Sequence, residues 1–341
     1  MPTALVTGSA GFIGFNLARR LMAEGWRVVG VDCETETYDP ALKSARRARL
    51  EDDPGYIHLG GRIEAPGLLK AAIAGHEPEI VVHLAAEAGV RPSIEDPRRY
   101  VEANILGTFE LLEALRETPV RHALLASTSS AYGANREMPY AETMRADWPL
   151  SPYAATKRAT EILAHSHSHI FDIPITMFRF FTVYGPWGRP DMAYYLFAQA
   201  ILEGRPIKVF NHGEMRRDFV FVDDLVEAIV RLFDTVPERP RDGTTVAEGD
   251  SLSPVAPYRL VNIGKSAPDT LMEFIGEIEN ALGQEAKKEF LPMQQGDVLA
   301  TWADAGLLER LTGYKPSTPL SEGIPRFVEW YRAYHGRNRA D

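Results

Sequence analysis

Cysteine occurs once in these 341 residues, at Cys33. No intrachain disulfide can form, and no cysteine cluster can bind a metal. Such scarcity fits a reducing compartment. The chain also lacks any apolar run long enough to span a bilayer. It has no excess of basic residues: 37 Lys and Arg stand against 47 Asp and Glu, a net charge of −10. That balance argues against nucleic-acid and anionic-membrane partners, which need a basic face. Internal repeats and low-complexity tracts are missing too. Met1 is followed almost at once by the apolar Ala4-Leu5-Val6, which leaves no room for a secretory signal, so a cytoplasmic location is expected.

What remains is ordinary globular material, 45% hydrophobic and 25% charged, enough to bury a sizeable core in one large domain or two smaller ones. Short apolar runs at 3–7, 27–31, 56–59, 80–84, 122–127 and 174–178 read as buried strands. Amphipathic patterns at 11–24, 65–74, 101–118 and 152–170 alternate with them and read as helices. This alternation predicts an α/β fold, a doubly wound parallel sheet of Rossmann type covered on both faces. The second half is less regular, with a loop at 186–190, a helix at 193–203 and a strand at 207–210. Residues 237–257, rich in Pro, Gly, Ser, Thr and acidic side chains, read as a long surface loop of the kind that is either functional or mobile. The C-terminal half is expected to form a smaller lobe capping the sheet.

Three motifs carry chemistry. Gly8-Ser9-Ala10-Gly11-Phe12-Ile13-Gly14 stands where the first strand turns into the first helix. Glycines there permit a tight turn and close approach of the backbone to a pyrophosphate, and the helix N-terminus favours the anion. Asp32 closes the second strand, placed to bind the adenosine ribose hydroxyls; its charge opposes a 2′-phosphate and so selects NAD over NADP. Tyr153 and Lys157 share a helix face at i and i+4. A positive charge there favours the phenolate of a residue that is otherwise a poor base. Thr128, in the run Ser127-Thr128-Ser129-Ser130, can donate to the same substrate oxygen. Alone, a glycine triplet can mark only a turn, and a Tyr/Lys pair is often an exposed amphipathic pair. In this order they describe a nicotinamide site with a proton-transfer group, hence redox chemistry at a carbon bearing a hydroxyl.

Longer stretches carry a resemblance. Arg179-Phe180-Phe181-Thr182-Val183-Tyr184-Gly185-Pro186-Trp187-Gly188-Arg189-Pro190-Asp191-Met192 is one, and Arg217-Asp218-Phe219 another. Ala256-Pro257-Tyr258-Arg259 running into Asn262-Ile263-Gly264, and Gln294-Gln295-Gly296-Asp297-Val298, complete the set. Over nearly its whole length the chain resembles the extended short-chain dehydrogenase/reductases, and within them the UDP-glucuronate 4-epimerases. The resemblance implies bound NAD and a UDP-sugar substrate, UDP-glucuronate or UDP-galacturonate. Tyr153 would deprotonate the sugar 4-hydroxyl while carbon 4 gives hydride to NAD. The 4-keto intermediate would turn over and take the hydride back on its other face. Lys157 would hold the cofactor ribose and tune Tyr153, with Thr128 as the catalytic Ser/Thr. Phe12, Ile13, Arg62, Ile63, Leu84, Ala85, Ala86 and Asn104 would join the glycines and Asp32 around the cofactor. Ser129, Ser130 and Thr182 would surround the sugar carboxylate, and Arg189, Arg217 and Asp297 would hold the UDP moiety. Residues 1–180 would form the cofactor domain and 181–341 mostly the substrate lobe, with segments around 210–235 and 258–265 returning to the sheet. A homodimer built on helices 101–118 and 152–170 is also implied.

Residue choices at the sugar end narrow the reaction. A 4-keto-glucuronate is a β-keto acid, which loses CO2 when the bond to the carboxylate stands perpendicular to the ketone plane; neutral hydroxyls can hold it near that plane. Related decarboxylases have glutamate at the position of Ser130, and dehydratases an acidic pair at Ser129 and Ser130, so epimerisation without decarboxylation is the expectation. Thr182 replaces the asparagine of UDP-galactose 4-epimerases, against an uncharged hexose. Arg62-Ile63 stands where the family has Asp-Ile beside adenine, and Gln294 where many relatives have arginine. The competing readings are another nucleotide-sugar epimerase or decarboxylase, or a catalytically silent NAD-binding protein.

Other features are read as structural. His165, His167 and His169 point in different directions on a helix and suit a surface or interface rather than a metal; no metal is expected. Arg46, Arg47 and Arg49 read as a solvated helix face. Trp187 has two readings, stacking on a nucleotide base or packing under its own loop. Cys33 is expected to be inert.

Overall fold

Apolar strands that alternate with helices are covered on both faces only when the crossovers fall on both sides of one parallel sheet, and the chain takes this arrangement. The structure is a computed structural model that describes residues 1–241, 246–293 and 298–337. Strands β1 (Thr3–Thr7), β2 (Arg27–Asp32), β3 (Tyr56–Gly60), β4 (Ile80–His83), β5 (His122–Ala126) and β6 (Ile175–Phe180) join a later strand, Tyr258–Ile263, in one seven-stranded sheet. Its order is Tyr258–Ile263, β6, β5, β4, β1, β2, β3, and every pairing is parallel. The order reverses between β1 and β4, so their carboxyl ends open a crevice of the type that binds ligands in such sheets. Side chains alternate between the two faces. Ala4 and Val6 of β1 pack with Phe15, Leu17 and Leu21 of helix α1 (Phe12–Ala23), whereas Leu5 packs with Ile73, Leu111 and Leu115 opposite.

A third core, around Tyr184, Phe219, Phe274 and Phe327, belongs to later elements. There Thr182–Tyr184 pairs with Phe219–Phe221, Ile207–Phe210 pairs with Lys288–Leu291, and Arg216–Arg217 lies between Asp269–Thr270 and Ala300–Thr301. The described parts of the 237–257 stretch hold no helix or strand. They lie against the Pro152–Phe171 helix, where Ser253 Oγ meets His165 Nε2 at 2.8 Å and the Val255 carbonyl meets His169 Nδ1 at 2.7 Å. Among the described residues, no helix is long and apolar enough to cross a membrane.

Three expectations need correction. The helix read at 65–74 begins at Leu68, because Gly67 is left-handed (φ 82°) and ends the preceding turn. The helix read at 101–118 opens instead as a π-helical turn, Val101–Leu106, before the α-helix Gly107–Glu117. Within that turn the Asn104 side chain accepts from the Glu87 N–H at 2.8 Å and donates to the Glu87 carbonyl at 3.1 Å. Side-chain periodicity does not report such a tertiary demand on a helix, and π-turns favour functional sites. The basic run on the Pro40–Glu51 helix is not a uniformly solvated face. Arg47 pairs with Glu34 at 2.9 Å, and Arg49 lies 4.7 Å over the Trp187 ring, but Arg46 is fully buried.

The Pro152–Phe171 helix starts at Ser151, whose hydroxyl accepts from the Ala154 N–H at 3.2 Å, with Pro152 in the first turn. Its buried stripe carries Tyr153, Lys157 and Glu161 one above another. Glu161 is fastened to the sheet. Arg179 of β6 grips it through Nε and Nη2 at 2.8 and 2.6 Å, Ser127 donates to it at 2.5 Å, and Arg158 at 2.8 Å. The Arg179 guanidinium also lies 4.4 Å from the centre of the Tyr132 ring. Burial pushes the Glu161 carboxyl up, yet the charge of Arg179 and the hydrogen bonds from Arg179 and Ser127 hold it below its ordinary value. Glu161→Gln strands a buried cation and should cost about 3–5 kcal/mol in urea unfolding. A depressed folded pKa stabilises above the unfolded value, near 4.3, and the contribution is lost as pH falls through the folded one. The acid limb of a stability–pH curve should therefore flatten in Glu161→Gln; an unchanged limb would assign acid sensitivity elsewhere.

Candidate active site

At the end of β1 the chain must turn, pass under β4 and enter α1. Gly8 turns at φ 73°, and a Cβ there would stand 2.8 Å from the Ala85 nitrogen, so only glycine lets the ends of β1 and β4 approach. A Cβ on Gly14 would stand 2.1 Å from the Gly8 carbonyl oxygen, which fixes the helix against the turn. The start of α1 has neither a capping side chain nor an acidic residue in its first turn. Its leading N–H groups are therefore free for an anion, which is the donor set a pyrophosphate needs. Asp32 accepts from the Ala10 N–H at 3.0 Å and from the Glu34 N–H at 2.7 Å. A carboxylate offers about four acceptor sites, so room is left for a ribose diol.

One cleft of about 1000 Å3 runs from this turn to the C-terminal lobe. Gly8, Gly11, Phe12, Ile13, Gly14, Asp32, Arg62, Ile63, Leu84, Ala85 and Ala86 line one end; Thr128, Ser129, Ser130, Tyr153, Lys157, Thr182, Arg189 and Arg217 line the other. Asn104 is not among the lining residues. Its amide is taken by the Glu87 backbone and by Thr156, 3.0 Å away, so it shapes the wall from behind. Arg62 is half exposed and bound to Glu64 at 2.5 Å. Asp297 and Gln294 lie outside the described residues.

The chemical end is built around the Thr128 hydroxyl. Thr128 Oγ1 accepts from the Ser130 N–H at 3.2 Å, capping the short Ser129–Tyr132 turn, and its hydroxyl pairs with that of Tyr153. Burial raises the Tyr153 pKa, while the Thr128 bond and the charge of Arg189 act downward. Lys157 is almost fully buried, and desolvation lowers its ammonium to about 8, with Glu161 opposing. His83 lies between Thr7 Oγ1 (2.8 Å) and Thr108 Oγ1 (3.3 Å); burial, helped by the charge of Lys157, holds it neutral with a pKa of about 3. Arg189 is held by Asp191 at 2.6 and 3.0 Å and by the Ala88 carbonyl at 3.3 Å. Arg217 donates to the carbonyls of Val298 (2.8 Å) and Leu299 (3.2 Å). Behind Ser129, Ser130 and Thr182 a side cavity of about 180 Å3 reaches Tyr140 and Arg217.

Several residues of the site carry no sequence signal. Thr35, Thr37, Lys43 and Glu87 also line the cleft. Lys43 binds Thr35 at 2.7 Å, Thr35 meets Thr37 at 3.0 Å, and Glu87 pairs with Arg99 at 2.7 Å. Glu161 was detectable as the one carboxylate spaced i+4 from Lys157 on a stripe otherwise destined for burial. Trp187 does not line the cleft. It is buried against Phe15, Trp330 and Tyr334, with centroids 5.2–5.3 Å apart, so of its two readings packing prevails. The three histidines bind different partners: His165 binds Ser253, His169 the Val255 carbonyl, and His167 Glu113 at 3.0 Å.

The NAD dependent epimerase/dehydratase family matches residues 4–245. Over 327 residues, 96% of each chain, the protein is 50% identical to a probable UDP-glucuronate 4-epimerase of Rhizobium meliloti (strain 1021). It is 41% identical to UDP-glucuronate 4-epimerase 4 of Arabidopsis thaliana, across 99% of this chain and 77% of that one. Among solved structures it resembles the UDP-glucuronic acid 4-epimerase from Bacillus cereus in complex with UDP-glucuronic acid and NAD, with a TM-score of 0.86, 31% identity and coverage of 97% and 99%. A likeness that runs through the glycine turn, the sheet and the C-terminal lobe alike has one meaning, which is that this chain belongs to the NAD dependent epimerase/dehydratase family of extended short-chain dehydrogenase/reductases.

Proposed function

We propose that the protein is an NAD-dependent UDP-glucuronate 4-epimerase, interconverting UDP-glucuronate and UDP-galacturonate through a transient 4-keto sugar that keeps its carboxyl group. The observation that carries this reading is the juxtaposition, in one cleft, of an anion-ready glycine turn, a tyrosine with a hydroxyl partner, and three neutral hydroxyls, Ser129, Ser130 and Thr182. The relatives in Rhizobium and Arabidopsis and the Bacillus cereus structure support it.

The residues divide the work. Gly11, Phe12, Ile13 and Gly14 would hold the pyrophosphate of NAD, and Asp32 its ribose. When bound, NAD supplies the acceptor and donor of hydride at carbon 4 of the sugar. Tyr153 takes the 4-hydroxyl proton as that carbon is oxidised and returns it once the ketone has presented its other face. Thr128 would steady the phenolate by donating its O–H to it, while one of its two lone pairs accepts from the Ser130 N–H. Ser129, Ser130 and Thr182 would bind the carboxylate without neutralising it, and Arg189 and Arg217 would meet the diphosphate. We assign residues 1–180 to the cofactor domain and 181–341 mostly to the substrate lobe, with segments around 210–235 and 258–265 returning. The pairing of Tyr258–Ile263 with β6 and the packing of Leu225 and Ile229 in the core of α1 support that division.

A homodimer fits the same reading, because the two helices that would meet expose Val101, Leu106, Phe109 and Ile162. Light scattering should give about twice the chain mass; a single-chain mass would remove the dimer. The single cysteine supports a cytoplasmic location.

NMR of the purified protein with UDP-glucuronate and no added NAD should reveal UDP-galacturonate without UDP-xylose or a 4-keto pentose. Loss of the carboxyl carbon would overturn the assignment of the three hydroxyls. No turnover even with NAD supplied would point to another nucleotide sugar first and to a binding role second. Tyr153→Phe should lower kcat by roughly 10²–10⁴-fold while NAD stays bound. Thr128→Val removes a donor that favours the phenolate, so the Tyr153 pKa rises and the acid limb of the kcat–pH profile should move to higher pH. Thr128→Ser should keep the limb in place. The buried Lys157 loses its charge near pH 8, so the basic side of the profile should fall from there.

A further inference from the structure

Arg46 is the largest fully buried side chain whose charge the chemistry above does not use. Its four hydrogen bonds all go to neutral oxygens. Nη1 donates to the Ala10 carbonyl at 3.1 Å and to Tyr38 Oη at 2.7 Å; Nη2 donates to the carbonyls of Trp187 at 2.6 Å and Gly188 at 3.1 Å. Nε is buried with no hydrogen-bond partner among the described residues. Burying a guanidinium without a carboxylate, and with one donor unsatisfied, is costly. What it gains is a bridge. Ala10 belongs to the glycine turn and is held by Asp32, whereas Trp187 and Gly188 lead directly into Arg189.

The far end of that bridge is itself pinned. Trp187 has φ 62°, a left-handed backbone conformation that is strained for a bulky residue. Its ring is locked between Phe15 of α1 and Trp330, beneath the Arg49 guanidinium. Arg189 follows with its N–H on Tyr194 Oη at 3.2 Å. Only a planar fork with several donors can span two backbone segments in this way; an ammonium acts as a single point.

We propose that Arg46 is a positioning residue. It sets the 186–192 loop, and Arg189 with it, relative to the glycine turn, so that the cofactor end and the sugar-nucleotide end of the cleft keep one register. The inference rests on the reading above only in taking Arg189 as a ligand of the sugar nucleotide.

Amide hydrogen exchange on the NAD-loaded protein tests the bridge without any sugar. In Arg46→Lys, which keeps the charge and loses the fork, peptides covering 186–192 and 8–13 should exchange about tenfold faster while β4, β5 and β6 are unchanged. Unchanged exchange at 186–192 in a folded variant would overturn the proposal. Arg46→Gln, which also removes the buried charge, replaces the lysine variant if that one does not fold, with the same expected pattern. A double-mutant cycle on the Kd for UDP-glucuronate then reads the route of the effect. Arg46→Lys should weaken binding about tenfold, and Arg46→Lys with Arg189→Gln should bind no more than about twofold weaker than Arg189→Gln alone. Multiplicative losses would mean that Arg46 does not act through Arg189. If the unaltered protein binds no UDP-glucuronate, the sugar assignment fails, and the exchange measurement still decides the role of Arg46.

Discussion

A carboxylate with no access to water, Glu161, holds the site together. It lies two turns along the helix from Tyr153 and is gripped by Arg179 of β6 and by Ser127 at the end of β5. An unpaired charge at that depth would be prohibitive, so helix and sheet can meet in only one register. That register puts Tyr153 opposite Thr128, the residue after Ser127. The Arg179 guanidinium lies over Tyr132, whose hydroxyl donates to Asn262 Oδ1 at 2.8 Å. The edge strand Tyr258–Ile263 is thereby drawn into the same network.

Charge in the cleft is arranged by burial as much as by pairing. Desolvation lowers Lys157 and raises Tyr153, which drives apart two ionisations that lie close together in water. His83 is kept neutral nearby, so it adds no second positive charge. At the other end Arg189 and Arg217 give an acidic protein, net charge −10, a local positive wall. Ser129, Ser130 and Thr182 are uncharged between them. In the function proposed, an anionic sugar nucleotide would meet arginines at its diphosphate and hydroxyls at its carboxylate.

The two halves of the cleft are joined by more than chain connectivity. Rings from α1, from the loop after Thr182–Tyr184 and from the Leu320–Arg337 helix meet at Trp187. Arg46 ties the backbone beside that ring to the glycine turn. Aromatic packing supplies the area, and the guanidinium supplies the direction. Behind the wall Asn104 does similar work on Glu87, at the cost of a regular α-helical turn.

What the sequence by itself determined is whatever depends on near neighbours. The strand–glycine–helix turn, Asp32 at the end of β2, and Tyr153 and Lys157 sharing a face at i+4 all follow from short-range geometry, and so does the alternation that dictates a parallel sheet. The long stretch from Arg179 to Met192 pointed to the family. The tertiary structure alone decided the rest, because each remaining feature joins segments far apart in the chain. Arg46 looks like any surface arginine beside Arg47 until Trp187, 141 residues later, returns to cover it. Asn104 reads as an ordinary helix residue until Glu87 needs its amide. Trp187 took the core rather than the cleft because Phe15 and Trp330 enclose it, and no local pattern encodes that meeting. Periodicity reports which face of an element is apolar; it does not report which distant backbone carbonyl will face a buried donor, and there the folded chain makes the choice.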